Sequence, residues 1–471
     1  MRLLTELYDY QQKAVEKLRK IKVGALYMEQ GTGKTRTTLE LVKVRIEKKK
    51  VDVILWLCPC SVKKNLREDI VYHCGDMPNE IIIKGIESLS SSDRLYLQLL
   101  DLVEKYSVYL IVDESNLVKN KKAIRTERII RLSSQCQYKI ILNGTPVSRN
   151  EADMFAQWYI LDWRILGYKS FYSFAANHLE YREIKMPDGS RVTTNKVTNV
   201  LNVDYLAEKI APYTYQILKS DCLELPKKHY YTSYFFMTRE QEKIYANVRY
   251  EYLLNVDEIR EDTIYKLFTA LQHVVSGRNV TSFPIFRMET EPIFDHYMEN
   301  PRMRALKGIV EDMADEKCII FAKYQQEIDD ICDMLKNMDL SCVMFTGKVS
   351  QKKRQENRAA FRDNVQFLVA NKMCGAYGLN LQFCHNVIYY SNDFDLATRM
   401  QSEDRVHRIG QNNDVNIYDI YCPRTIDELI VDCLYKKERL VDRFKAEIGK
   451  VKDYGKRKIK SRCGKDTKIV S

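Results

Sequence analysis

Apolar residues in the first 150 positions come in short continuous runs, at Val23–Met28, Val53–Leu57, Ile81–Lys84, Tyr109–Val112 and Tyr138–Leu142. Runs of this length, bounded by polar or glycine-containing turns, predict strands buried on both faces. Helical stretches separate them, and strands alternating with helices predict a parallel sheet with crossover helices. Between about Asn150 and Asn300 the texture changes to longer, aromatic-rich helical segments, interrupted at Met186-Pro-Asp-Gly-Ser190 and by an extended stretch after Pro226. The alternation returns from Pro301, with runs at Cys318–Ala322, Cys342–Phe345, Phe367–Ala370, Val387–Tyr390 and Val415–Ile420. The pattern predicts an α/β chain with sheet-bearing halves at residues 1–150 and 301–448, and a helical insertion and linker over 151–300. No internal repeat is visible. The aromatic residues from Phe155 to Phe174 and from Tyr245 to Phe268 fall at helical spacing, which predicts core packing.

A chain of 471 residues suits two or three domains, and its 45% hydrophobic and 30% charged composition suits a globular protein. No apolar run is long enough to span a bilayer and no charged-then-apolar leader opens the chain, so a soluble, intracellular protein is expected. The expected location is cytoplasmic, in a bacterium or a viral host, and nuclear only for a eukaryotic source. Thirteen cysteines are scattered without any CxxC pair, which argues against a zinc ribbon and for reduced, mostly buried thiols. The histidines form no ligand-spaced cluster. A formal charge of +11 favours a polyanionic partner. Residues 451–471 hold eight Lys or Arg against two Asp, and residues 449–471 are expected to form a basic, solvated tail.

Chemistry concentrates first at Met28-Glu-Gln30-Gly31-Thr32-Gly33-Lys34-Thr35, where an apolar strand runs into a glycine-rich turn and then a helix. Such a turn directs backbone N–H groups at phosphates, the helix N-terminus favours negative charge, Lys34 reaches the terminal phosphates and Thr35 supplies a hydroxyl for magnesium. Met28 occupies the position where the full phosphate-loop pattern has its first glycine. Tyr109-Leu-Ile-Val-Asp113-Glu114 then sets two carboxylates at the end of an apolar strand. Asp113 suits the magnesium shell and Glu114 the attacking water. Late in the chain, Arg405 and Arg408 stand three apart, which predicts one helical face aimed at an anion; the alternative is a surface run paired with Glu403 and Asp404.

With these motifs in order, the chain resembles the Swi/Snf-type ATPases of helicase superfamily two, from about Leu7 to Asp442. Leu7-Tyr-Asp-Tyr10-Gln11 is similar to the family's adenine-reading element, with Gln11 as the reader. Leu55-Trp-Leu-Cys-Pro59-Cys-Ser61 resembles its segment against the nucleic-acid backbone, and Lys84 joins Pro59 and Ser61 as an expected contact. Asp113-Glu-Ser-Asn116 followed by Lys119-Asn120 resembles the acidic box, and Leu142-Asn-Gly144-Thr145-Pro146 the coupling motif, so Asn116, Gly144 and Thr145 are expected to couple the sites. Lys219 and Leu225-Pro226-Lys-Lys228 resemble the stretch leading to the second half. Thr346-Gly347 and Gly375-Ala-Tyr-Gly378-Leu379-Asn380-Leu381 are similar to later motifs, and Gln401-Ser-Glu-Asp404-Arg405-Val-His407-Arg408-Ile-Gly410-Gln411 is nearly the family consensus.

The resemblance implies two tandem RecA-like lobes and an ATP hydrolase that uses ATP and Mg2+ to translocate on or remodel duplex DNA. It places Gly378 and Gln401 at the nucleotide, Arg405 and Arg408 as arginine fingers, and Thr346, Gly347 and Asn380 on nucleic acid. Fingers of this kind are worth roughly a thousandfold or more in rate. Asn116 where the family has His, and Asn143 where it has Thr, imply altered coupling. Alternatives are a strand-separating DNA or RNA helicase, and a non-translocating ATP-switched DNA clamp that recruits a partner such as a nuclease or a replication or repair factor.

Overall fold

The computed structural model describes residues 1–144, 151–185, 191–254, 261–282, 288–313, 315–371 and 380–436. Thr145, Gly378 and the basic tail lie outside them. The chain divides into two compact units, Met1–Glu224 and Leu225–Ser471.

In the first unit, β1 (Val23–Met28), β2 (Val53–Cys58), β3 (Ile81–Gly85), β4 (Val108–Val112) and β5 (Tyr138–Asn143) match the predicted runs to within a residue. A two-stranded antiparallel ribbon follows, β6 (Leu179–Lys185) with β7 (Arg191–Val200), and then β8 (Thr214–Ile217). The sheet order is β3-β2-β4-β5-β1-β8, parallel throughout. Parallel sheets need helices on both faces, so both sets of alternating side chains must be apolar. They are. Ala25, Tyr27, Leu55, Leu57, Leu110 and Val112 belong to one core, and Leu26, Met28, Ile54, Trp56, Tyr109 and Ile111 to the other. The aromatic Phe155, Trp158 and Phe174 join the first of these cores, as their spacing predicts.

The second unit repeats the plan. Its sheet holds β9 (Lys228–Tyr234), β12 (Cys318–Ala322), β13 (Cys342–Phe345), β14 (Phe367–Asn371), β15 (Asn386–Tyr389) and β16 (Val415–Tyr421). They run parallel in the order β13-β14-β12-β15-β16-β9. Between β9 and β12, β10 (Arg278–Ser282) pairs with β11 (Glu289–Pro292). Helix Pro301–Glu311 starts where a sequence reader would place it, with the Asn300 side chain accepting from Arg302 N and Pro301 in the first turn. Each unit is a RecA-like α/β lobe, with the acidic strand β4 of the first separated from β1 by a single strand.

The stretch expected as one helical insertion is divided between the units. β8 extends the first sheet beside β1, and β9 extends the second beside β16. Both are edge strands rich in tyrosine and polar residues, so neither shows the continuous apolar run that marks a strand covered on both faces. Among the described residues, no helix is long and apolar enough to cross a membrane.

Candidate active site and arginine segment

Because the first sheet is parallel, the segments leaving β1, β4 and β5 emerge at one edge, and β5 lies between the other two. The phosphate loop leaves β1. Met28, in the first-glycine position, is the last residue of the strand, and its side chain is completely buried in the core. A glycine is dispensable there because the backbone is still extended strand. It is required five residues on: Gly33 has φ +83° and caps helix Lys34–Glu47, and an added Cβ would lie 2.2 Å from Gln11 Nε2. Lys34 Nζ donates to Met28 O at 2.8 Å and, at longer range, to Glu29 O at 3.5 Å. Thr32 Oγ1 donates to Glu29 O at 2.7 Å, which tightens the turn. Thr35 sits half-buried in the first turn of the helix.

Gln11 is 2% exposed, and both ends of its amide are engaged within the chain. Its Oε1 accepts from Tyr8 N at 3.0 Å, and its Nε2 donates to Thr32 O at 3.1 Å. The residue expected to read adenine thus clamps its own helix to the phosphate loop, and reading a base requires those bonds to be exchanged. Tyr10 OH donates to the same Thr32 carbonyl. The Tyr8 and Tyr10 rings stack with centroids 5.7 Å apart, and Tyr8 is 52% exposed.

At the end of β4, burial and the adjacent Glu114 push the Asp113 carboxyl up to about 6, against the pull of the nearby Lys34 ammonium. Asp113 Oδ1 accepts from Glu114 N at 2.9 Å. Glu114 itself has φ +48°, a left-handed conformation that costs a non-glycine residue free energy and concentrates at functional sites. Ser115 Oγ donates to Gln157 Oε1, tying the acidic box to helix Ala152–Leu166. The Asn116 Oδ1 is buried with no hydrogen-bond partner. β5 ends in the same way as β4: Asn143 Oδ1 accepts from Gly144 N at 2.8 Å. A Cβ on Gly144 would stand 3.9 Å from Gln30, so Gly144 borders the phosphate loop. Of the expected nucleic-acid contacts in this lobe, Ser61 is exposed and Lys84 half-buried, whereas Pro59 is buried and offers no surface.

In the second lobe the expected arginine helix ends early. Helix Leu396–Glu403 carries Gln401 in its last turn, but Arg405 and Arg408 lie in the turns beyond it. Arg405 N bonds Ser402 O and Val406 N bonds Glu403 O, spacings tighter than an α-helix makes. Glu403, the last residue of the helix, pairs with Arg399 and Lys228. Arg399, 4% exposed, also holds Asp419 in a two-bond fork, donates to Asn392 Oδ1, and lies 3.3 Å over the Tyr389 ring. Beyond the helix, Leu381 N donates to Arg405 O, and Arg408 Nη1 donates to Asn380 Oδ1, so two separate motifs meet. Thr346 is 1% exposed with its hydroxyl buried, which turns it away from an external ligand, while Gly347 is exposed.

Glu29, Arg399 and Asp419 were not singled out by sequence. The signal available was a charged residue beside each motif, which usually marks solvent rather than a buried partner.

Two protein families match the chain: the SNF2-related domain over residues 76–284 and the helicase conserved C-terminal domain over residues 301–410. An uncharacterized ATP-dependent helicase of Mycoplasma pneumoniae is 24% identical over 94% of this chain and 42% of its own length. A SWI/SNF-related matrix-associated actin-dependent regulator of chromatin subfamily A-like protein 1 homolog of Caenorhabditis elegans is 23% identical over 92% of this chain and 61% of its own. The chain thus spans between a third and two thirds of the length of the first curated relatives it matches. Among solved structures, the Sulfolobus solfataricus SWI2/SNF2 ATPase core in complex with dsDNA aligns over 93% of this chain and 94% of that one, with 21% identity and a TM-score of 0.40.

Proposed function

We propose, for a chain that belongs to the Snf2-type ATPases of helicase superfamily two, a nucleic-acid-driven ATPase that uses hydrolysis to move on duplex DNA or remodel its complexes. The observation that carries this reading is the convergence in the first lobe. Lys34 stands within electrostatic reach of Asp113, and Gly144 borders Gln30, at the ends of three neighbouring parallel strands. ATP phosphates lie along the N–H groups of Gln30–Thr35, with Lys34 on the terminal phosphates. The donor set fits magnesium: the Thr35 hydroxyl and the Asp113 carboxylate are hard oxygens, and a carboxyl pushed toward neutrality by burial gains most from a cation. Bound there, magnesium supplies charge neutralisation at the phosphates.

Glu114, held in its left-handed conformation, orients the attacking water. Arg405 and Arg408 complete the site when the lobes close, offsetting charge on the transferring phosphoryl group. Grip on DNA goes to the backbone, so binding is salt-sensitive with little sequence preference. Measuring ATP turnover with and without duplex DNA tests this. A large stimulation is expected, and equal rates would sink the motor. Stimulation by single-stranded RNA with strand displacement would make the protein a helicase instead, and a single turnover without movement would make it a clamp.

A further inference from the structure

A short crossover carries the chain from one lobe to the other, and each of its ends is bonded to a site element. β8 runs beside β1 with Met28 opposite Ile217, so the phosphate loop and the crossover leave the sheet side by side. There Glu29 N donates to Ile217 O at 3.1 Å, and Glu29 Oε2 accepts from Lys219 N at 2.8 Å. Lys219 is 7% exposed, and Cys222 and Leu223 pack against the first lobe's core. At the other end, Pro226 O bonds His407 Nε2 at 2.8 Å, inside the arginine segment. Lys228 Nζ and Tyr230 OH both donate to Glu403 Oε2, at 2.9 and 3.0 Å. The same carboxylate bonds Arg399 through its other oxygen. Only Glu224 and Leu225 separate the last residue packed in the first core from the first one bonded to the arginine segment.

We infer that the crossover Leu218–Lys228 is a strap that carries occupancy of the phosphate loop along the chain to the arginine segment, with Glu29 and Lys228 as positioning residues at its two ends. The inference rests on the nucleotide site proposed above. A phosphate that draws Lys34 Nζ from Met28 O and Glu29 O rearranges the bonds around Glu29, whose carboxylate holds the strap. Two intervening residues leave three Cα–Cα steps, at most about 11 Å, between the anchors and give little slack, so movement at one anchor reaches the other. At the far end, Glu403 shares its two oxygens between the strap and Arg399, so a shift of Lys228 changes the anchoring of the helix that precedes Arg405 and Arg408. A misplacement of about 1 Å there is enough to cost roughly a hundredfold in rate.

Hydrogen exchange of the full chain, with and without magnesium and adenylyl imidodiphosphate, tests the strap directly. Adding nucleotide is expected to change exchange at the Lys219 amide and also at Lys227–Tyr230. A four-residue Gly-Ser insertion after Glu224 should abolish the second change and keep the first. Unchanged Lys227–Tyr230 amides in the parent chain, or a change that survives the insertion, would overturn the strap. In turnover assays, the insertion and Lys228→Met should each lower kcat about tenfold with KM for ATP held, and Lys228→Arg should restore it. Absence of DNA stimulation in the parent chain defeats the motor reading alone, because the exchange comparison still decides the strap.

Discussion

The two lobes share a sheet plan but hold their site residues by different means. In the first, backbone geometry does the positioning: three parallel strands end together, Gly33 turns where no side chain fits, and Asn143 and Asp113 each cap the following amide. In the second, buried ion pairs do it, with Arg399 forked onto Asp419 and Glu403 shared among Arg399, Lys228 and Tyr230. A backbone-built site tolerates polar substitution around it but not a change of turn residue. A site built on buried charges tolerates the loss of any one member poorly, because the partner is left desolvated and unpaired.

The largest expected effect is on chemistry in the backbone-built site. Lys34→Ala should cut ATP turnover by about a thousandfold or more while DNA retention on filters is unchanged. If turnover fell only slightly, the phosphate loop would not be the hydrolytic site. Next comes Arg399→Met, which strands Asp419 and Glu403 in the interior and should lower stability by about 3–5 kcal/mol in urea melts, with Arg399→Lys recovering part. An Arg399→Met protein as stable as the parent would break the contrast between the lobes.

Smaller still is Gly33→Ala, expected to cost on the order of 2 kcal/mol from its positive φ and the collision with Gln11, and to weaken nucleotide binding. The smallest is an acid sensitivity of the charged lobe. Burial pushes the His273 imidazole down to about 4, with Glu327 opposing and Lys323 and Arg278 adding to the shift. The unfolded chain therefore binds more protons between about pH 6.5 and 4, and stability falls as pH drops through that window. His273→Phe keeps the ring against Tyr324, 4.0 Å away, and should flatten the acid limb of the stability profile.

The same division explains what could be read in advance. Ten strands announce themselves as short apolar runs, and with them the turns at their ends, where Lys34, Asp113 and Gly144 sit. β8 escaped because Thr214-Tyr-Gln-Ile217 holds no apolar run, and β9, in the extended stretch after Pro226, carries tyrosine and polar residues in place of one; the two compact units divide between them, at Glu224. The path of Arg405 and Arg408 was misjudged because their spacing suits a helix, whereas the helix ends at Glu403, which bonds Lys228, a residue 175 positions away. No local pattern encodes such a pair.

Met28 has one more consequence. Its carbonyl holds the ammonium of Lys34 while its side chain fills the hydrophobic interior, so selection for solubility and selection for ATP handling act on one residue. Screens for temperature-sensitive alleles should find them around Met28 and its packing neighbours, as proteins that fold in the cold yet lose nucleotide affinity before they aggregate on warming.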